Sequence, residues 1–226
     1  MKKSLSKKQI RMLVLYAVLI AIEAIFCFTP LGSLPLGGPI VATLAMVPVC
    51  ITGVLLGVEA GTVLGFTAGL FSFIYWTLLA PGAMPLVFTP FFKMEVGGQI
   101  LGGSPWTLFI CFVPRILVGT VSGLIFKAMT KNAKSGKTQY AAAAVAGVAG
   151  SLVNTVGVLG GIALFLYRDF GAAIGAFYAE GYVTYSTVWG FIGFTLLTNS
   201  IAEAVVTGLV TPATLPLKKL LDGKLS

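Results

Sequence analysis

The residues with the most chemical potential lie inside an apolar stretch, "FVPRILVG", where Arg115 directly follows Pro114. A cation near the centre of a bilayer costs about 2.5–3.5 kcal/mol on insertion scales, so intramembrane arginines usually face a bundle interior or a cavity. Counting from Trp106 at about 1.5 Å per residue, Arg115 is expected roughly 12–14 Å below the nearer surface, within reach of a solute entering an open cavity. Pro114 removes one backbone donor and loosens the helix locally, which can turn the arginine inward. A guanidinium there can grip a carboxylate in a bidentate fork or pair with Glu23 on the first apolar segment. Asn154 and Asn199 fall midway along two later apolar segments, and Glu203 sits one turn beyond Asn199 on the same face. Tyr75, Trp76, Thr43, Thr89 and Phe91 are expected at compatible depths. Taken singly, each is ordinary helix-helix glue or an interfacial anchor. Converging on one arginine, they would line a pocket for a small, anionic, hydrogen-bonding molecule.

Most catalytic chemistries lack their residues. The chain has no histidine, which removes zinc proteases of the HExxH type, histidine-ligated iron and serine hydrolases with a histidine base. Of its seven acids only Glu23 and Glu203 lie well inside apolar segments, on different ones and in no paired-carboxylate motif. "KSGKT" resembles the end of a phosphate-binding loop, but Lys131 and Asn132 stand where an earlier glycine is needed and no strand precedes it. It reads as a solvated basic turn, so no ATPase is expected in this chain. Cys27, Cys50 and Cys111 have no metal-ligand spacing and are expected as small buried apolar residues, with no metal and no disulfide.

The elements that must position these groups are membrane helices. The 226 residues are 57% hydrophobic and 10% charged, with a mean hydropathy of +0.98. Six stretches approach the roughly 20 apolar residues a membrane span needs, near residues 12–28, 40–56, 61–79, 107–129, 140–167 and 187–209. No room remains for a separate soluble domain. Of the 15 Lys and Arg, twelve fall before the first span, at the end of the fourth or between it and the fifth, or after the sixth. Six crossings put all twelve on one side, which the positive-inside rule makes the cytoplasm. The net charge of +8 is therefore a topology signal rather than a nucleic-acid-binding surface. No small-residue cleavage site follows the N-terminal lysines, so the first apolar run is expected to remain as a helix.

With both termini inside, the outer connections are residues 30–39, 80–106 and 168–186. The first is rich in Pro and Gly, the second is too apolar and aromatic for a solvated linker, and the third carries "FYAEGYVTY"; aromatic outer segments suit an interfacial belt or lids over an outward-opening cavity. Gly57, Gly61, Gly65 and Gly69 recur every four residues, a stripe that lets a neighbouring helix approach to van der Waals contact. Ala17 and Ala21 are spaced likewise on the first span.

Six spans with both ends inside, the Ala17-x-x-x-Ala21 pair, lid-like outer loops and no ATPase resemble the S component, the substrate-binding membrane subunit, of energy-coupling factor (ECF) vitamin transporters. The segments "LGGPIVATLAMVPVCITGVLLGVEAGTVLGFTAGLFSF", "FTPFF" and "VPRILVG" look most like the pantothenate type. Related S components take folate, riboflavin or a thiamine precursor, and a lone ion-coupled secondary transporter is the alternative from another class. The resemblance implies a non-enzymatic all-α bundle of six helices in the bacterial plasma membrane. It also implies docking, through the Ala17 and Ala21 face, on a membrane coupling subunit that carries two cytoplasmic ATPases, so that ATP is hydrolysed by partners and this chain holds no cofactor. In that family the S component topples to release its cargo inward. On this reading Arg115 binds the pantothenate carboxylate, Asn154 and Asn199 the amide or hydroxyls, and Trp76 and Phe91 wall the cavity. Met46 stands where the pantothenate-like segment leads one to expect a histidine.

Overall fold

A computed structural model describes residues 6–37, 40–80, 84–132, 135–181 and 186–221. The chain is mostly helical, and five helical stretches among the described residues are long and apolar enough to cross a membrane. They are α1 (Lys7–Phe28), α3 (Val58–Leu78), α5 (Trp106–Thr130), α6 (Gly136–Phe165), and the run of α8 (Val188–Thr195), a π turn (Leu196–Ser200) and α9 (Ile201–Ala213). Helix α1 starts from a capping box in which the Ser6 hydroxyl and the Gln9 side chain satisfy each other's backbone N–H groups.

The second expected span, near 40–56, takes a different form. Residues Ile40–Thr43 form a strand, β2, paired antiparallel with β1 (Ser33–Gly37), and only α2 (Val47–Leu56) is helical. Pro48 suits the first turn of a helix, where its missing N–H is no loss, and the β-branched residues before it fit a strand. At ten residues α2 is about 15 Å long, half a bilayer. Residues Val47 to Leu55 are all buried, so the short helix is enclosed by protein, where irregular backbone at membrane depth is tolerated.

The connection left between the expected second and third spans, residues 57–60, shrinks to Gly57, at φ 99°, a conformation that favours glycine. Its carbonyl-rich helix end is capped from a distance. Lys218 on α10 (Leu215–Leu221) donates from Nζ to the carbonyls of Val54 and Leu55, each at 3.0 Å, and lies over the Phe126 ring. At the opposite, loop-rich end, α4 (Pro85–Phe88), the hairpin of β3 (Lys93–Val96) with β4 (Gln99–Gly102), and α7 (Tyr167–Ala179) form an ordered cover. The Gly102 N–H donates to the Asp169 carboxylate at 3.3 Å, joining hairpin to helix.

Helix α5 is central, packed against α3 on one side and α6 on the other. The small-residue stripe makes this possible. A Cβ on Gly61 would lie 2.7 Å from the Gly119 carbonyl oxygen, one on Gly65 would overlap the Arg115 carbonyl, and one on Gly69 would meet Phe112. Gly57 does not share this role, because nothing lies within 4 Å of its notional Cβ. On the α6 side, Gly157 accommodates the Pro114 ring and Gly161 the Ile110 side chain.

The buried apolar residues form two clusters rather than one. The cluster toward the termini contains Leu19, Met46, Leu64, Val118, Ala146 and Leu215; the loop-end cluster contains Phe88, Ile110, Leu159, Ile162, Phe170 and Val188. Helices α3, α5 and α6 and the α8–α9 run contribute to both, α1 only to the first, and the buried polar residues of these helices include several between the two contributions.

Candidate functional site

Between the two apolar clusters lies a polar layer drawn from four long segments: Glu23 on α1, Ser72 on α3, Arg115 on α5, and Ser151, Asn154 and Thr155 on α6. The last segment completes it with Asn199, Ser200 and Glu203 at the π turn and the start of α9. Arg115 is 6% exposed, Glu23 0% and Glu203 5%.

Pro114 explains how the arginine is held. A proline within a helix cannot donate to the carbonyl four residues earlier, which here is that of Ile110. Arg115 donates to that same carbonyl oxygen from Nη1 at 2.7 Å, so its side chain folds back along its own helix to satisfy the acceptor freed by its neighbour. Its guanidinium carbon lies 4.7 Å from the centre of the Phe88 ring. Phe88 stacks on Trp76 at 5.2 Å, and Trp76 meets Tyr75 edge-on at 5.3 Å. The loop helix α4 thus brings one aromatic ring onto the charge, and α3 supports it. Thr89 follows at the end of α4, buried and accepting a hydrogen bond from Thr77 at 2.9 Å.

Five other polar atoms of the layer lack partners among the described residues. Arg115 Nε, Glu23 Oε2, Glu203 Oε1, Ser151 Oγ and Asn154 Oδ1 are buried without a hydrogen bond among the described residues. Glu23 uses its other oxygen to accept from Cys27 Sγ at 3.3 Å. Both carboxyls are within electrostatic reach of Arg115, but among the described residues neither forms an ion pair with it. The direct Glu23–Arg115 salt bridge that the sequence allows is therefore not formed. Leaving a buried polar atom unpaired costs about 1–3 kcal/mol, and such atoms are few in native proteins. Several on four segments leave this layer with unused hydrogen-bonding capacity.

Of the other expected residues, Asn199 lies in the π turn, where its carbonyl accepts from Thr198 at 3.1 Å. Such wide turns are frequent at functional sites, and this one leads directly into α9, whose first turn carries Glu203. Strand β2, which carries Thr43, runs beside the π turn and α9, so this stretch borders the layer as strand rather than as the first turn of a helix. Phe91 is 73% exposed and touches Phe73 rather than the layer. The place foreseen for it is taken by Phe88, which is 5% exposed. Sequence reasoning missed Phe88, Ser72 and Ser151. The signal for Phe88 was its position closing a four-residue helix opened by Pro85. An apolar groove of about 540 Å³ runs between α6 and the π turn and α9, with Leu152, Ile201, Val205 and Leu209 in its walls, and meets the layer at Ser200.

Ala17 and Ala21 are on the outer side of α1, in a stripe with the exposed Val14, Val18 and Ile25. Leu19 and Glu23 occupy the opposite side, and α1 is the least buried of the five long spans.

The family model for the substrate-specific component of ECF transporters matches residues 86–215, which include α4 beyond Pro85, the hairpin, Arg115, the whole of α6 and the π turn. The chain belongs to the ECF transporter S components. Two curated relatives agree along almost the full length. The S component is 30% identical to "Pantothenic acid transporter PanT" of Lactococcus lactis subsp. cremoris over 216 residues, 96% of this chain and 95% of that one. It is 28% identical to "Pantothenate transporter PanT" of Leuconostoc mesenteroides subsp. mesenteroides over 213 residues, 92% of each. The family is a transporter component and not an enzyme, and it works with partner subunits that hydrolyse ATP. Its apolar helices are those of a multi-pass membrane protein.

Proposed function

We propose that this S component binds pantothenate from outside the cell, with the Arg115 guanidinium on the vitamin's carboxylate. The observation that carries the reading is the state of Arg115: buried, fixed by the Ile110 carbonyl and the Phe88 ring, and still holding an unpaired Nε donor. Pantothenate is a compact carboxylate with one amide and two hydroxyls. Asn154 and Asn199 supply donors and acceptors for those groups from neighbouring segments, and Trp76, with Tyr75 behind it, backs the aromatic wall. The relatives' names favour this vitamin over others of similar size.

Six crossings with both termini in the cytoplasm accommodate the chain if β2 and the buried α2 together make the second crossing. The loop-end cover of α4, the β3–β4 hairpin and α7 then faces outward in a bacterial plasma membrane. The Ala17 and Ala21 face of α1 is the docking surface for a membrane coupling subunit bearing two cytoplasmic ATPases, and toppling on that subunit delivers the vitamin inward. Small side chains suit a contact that must be close yet reversible.

The test is equilibrium binding of pantothenate to purified Arg115→Ala. Losing a buried charge-assisted contact of roughly 2–5 kcal/mol lowers affinity by at least about 30-fold. Unchanged affinity in a folded variant would refute the carboxylate assignment.

A further inference from the structure

The polar layer holds two carboxyls for one guanidinium, and the mechanism above uses only the guanidinium. Around Arg115, the ionisable groups at this level are Glu23 and Cys27 from α1, Cys50 from α2, Cys111 from α5 itself and Glu203 from α9. Tyr16 lies deeper on α1 and Tyr75 nearer the loop end of α3. Among the described residues, α4 and α6 add none at this level. Thiols and phenols ordinarily keep their protons at pH 7, so the charge of the layer is decided by Arg115, Glu23 and Glu203.

With Arg115 charged, a single ionised carboxyl makes the layer neutral. A buried charge without a partner costs several kcal/mol, so a neutral layer is the favoured state of the empty site, one carboxyl holding a proton and the other not. An arriving carboxylate on the guanidinium brings the layer to one net negative charge. Neutrality is restored by one proton. We propose that anionic vitamin binding at Arg115 is accompanied by uptake of a proton from solvent by the Glu23 and Glu203 pair. This rests on the pantothenate reading above. The proton bonds to a carboxylate oxygen and no other bond changes. The carboxyl so formed becomes a hydrogen-bond donor, which suits the unpaired Oε2 of Glu23 and Oε1 of Glu203 facing a ligand with hydroxyl and carbonyl acceptors. Two interacting carboxyls titrate as a pair, so the proton belongs to both.

The experiment is calorimetric titration of pantothenate into the purified wild-type chain at pH 7 in buffers of different ionisation enthalpy. Above about pH 6 the vitamin's carboxyl is fully ionised and contributes no proton exchange of its own. The observed heat is expected to vary with buffer with a slope approaching one proton taken up per vitamin. Affinity is expected to weaken between pH 7 and 8.5, by up to about tenfold per pH unit. In the doubly substituted E23Q/E203Q chain both the buffer slope and the pH dependence vanish, whatever its affinity. Buffer-independent heat from wild-type protein that binds pantothenate overturns the coupling and leaves the assignment of the vitamin intact. Folded wild-type protein that gives no binding at any pH overturns the vitamin assignment itself, and the coupling with it.

Discussion

Substituting Gly65 by alanine tests how the binding layer is positioned. The added Cβ would overlap the Arg115 carbonyl oxygen and lie 2.9 Å from both the Arg115 carbonyl carbon and the Ile116 Cα. All three are backbone atoms of a central helix, so no side chain can rotate away. Restoring ordinary contact requires α3 and α5 to part by about 0.5–1 Å. Overpacking of this kind costs about 1–3 kcal/mol. For a chain of this length that lowers the melting temperature by roughly 2–12 °C. The displaced backbone is that of Arg115 itself, so vitamin affinity falls together with stability. Gly160 on α6 is the control: nothing lies within 4 Å of its notional Cβ, and alanine there is expected to be neutral or to stabilise by about 0.4–1 kcal/mol. Thermal unfolding in one detergent, with pantothenate binding measured on the same samples, compares the two variants. If Gly65→Ala matched Gly160→Ala in both readouts, the tight α3–α5 approach would be refuted.

Phe88→Ala is expected to weaken vitamin binding by about 3- to 30-fold through loss of the ring on the guanidinium, whereas Phe91→Ala leaves it within about twofold; equilibrium binding of both variants separates the buried aromatic from the exposed one. Enlarging the outer face of α1 with Ala17→Phe or Ala21→Phe is expected to leave vitamin binding by the isolated chain intact and to abolish ATP-driven uptake when the chain is combined with its coupling subunits in liposomes. Uptake at the wild-type rate would move the docking surface elsewhere.

The sequence carried some of this arrangement openly. Arg115 behind Pro114 was conspicuous because charge and proline are both costly in a membrane helix, and each explains the other once the Ile110 carbonyl is seen between them. Gly61, Gly65 and Gly69 showed as a packing face because a four-residue spacing keeps one side of a helix. Gly57 fits the same spacing but is a turn, and spacing alone says nothing about φ. The short α2 was hidden because an apolar run from Ile40 suits a buried strand or a helix equally, and only pairing with Ser33–Gly37 decides between them. In "FTPFF" three phenylalanines compete, and which one turns inward depends on where α4 ends. The π turn has no sequence signature in Leu196–Ser200, so the presentation of Glu203 could not be read beforehand.

The measurement that bears most directly on function is equilibrium binding of a vitamin panel to the purified chain in detergent, without partner subunits. Pantothenate, folate, riboflavin and a thiamine precursor are each titrated against the same folded preparation. Saturable binding of pantothenate alone is the expected result, with competition by close analogues only if they keep the carboxylate. Selective binding of a vitamin other than pantothenate would contradict the assignment of Arg115 to that carboxylate while leaving the chain an S component.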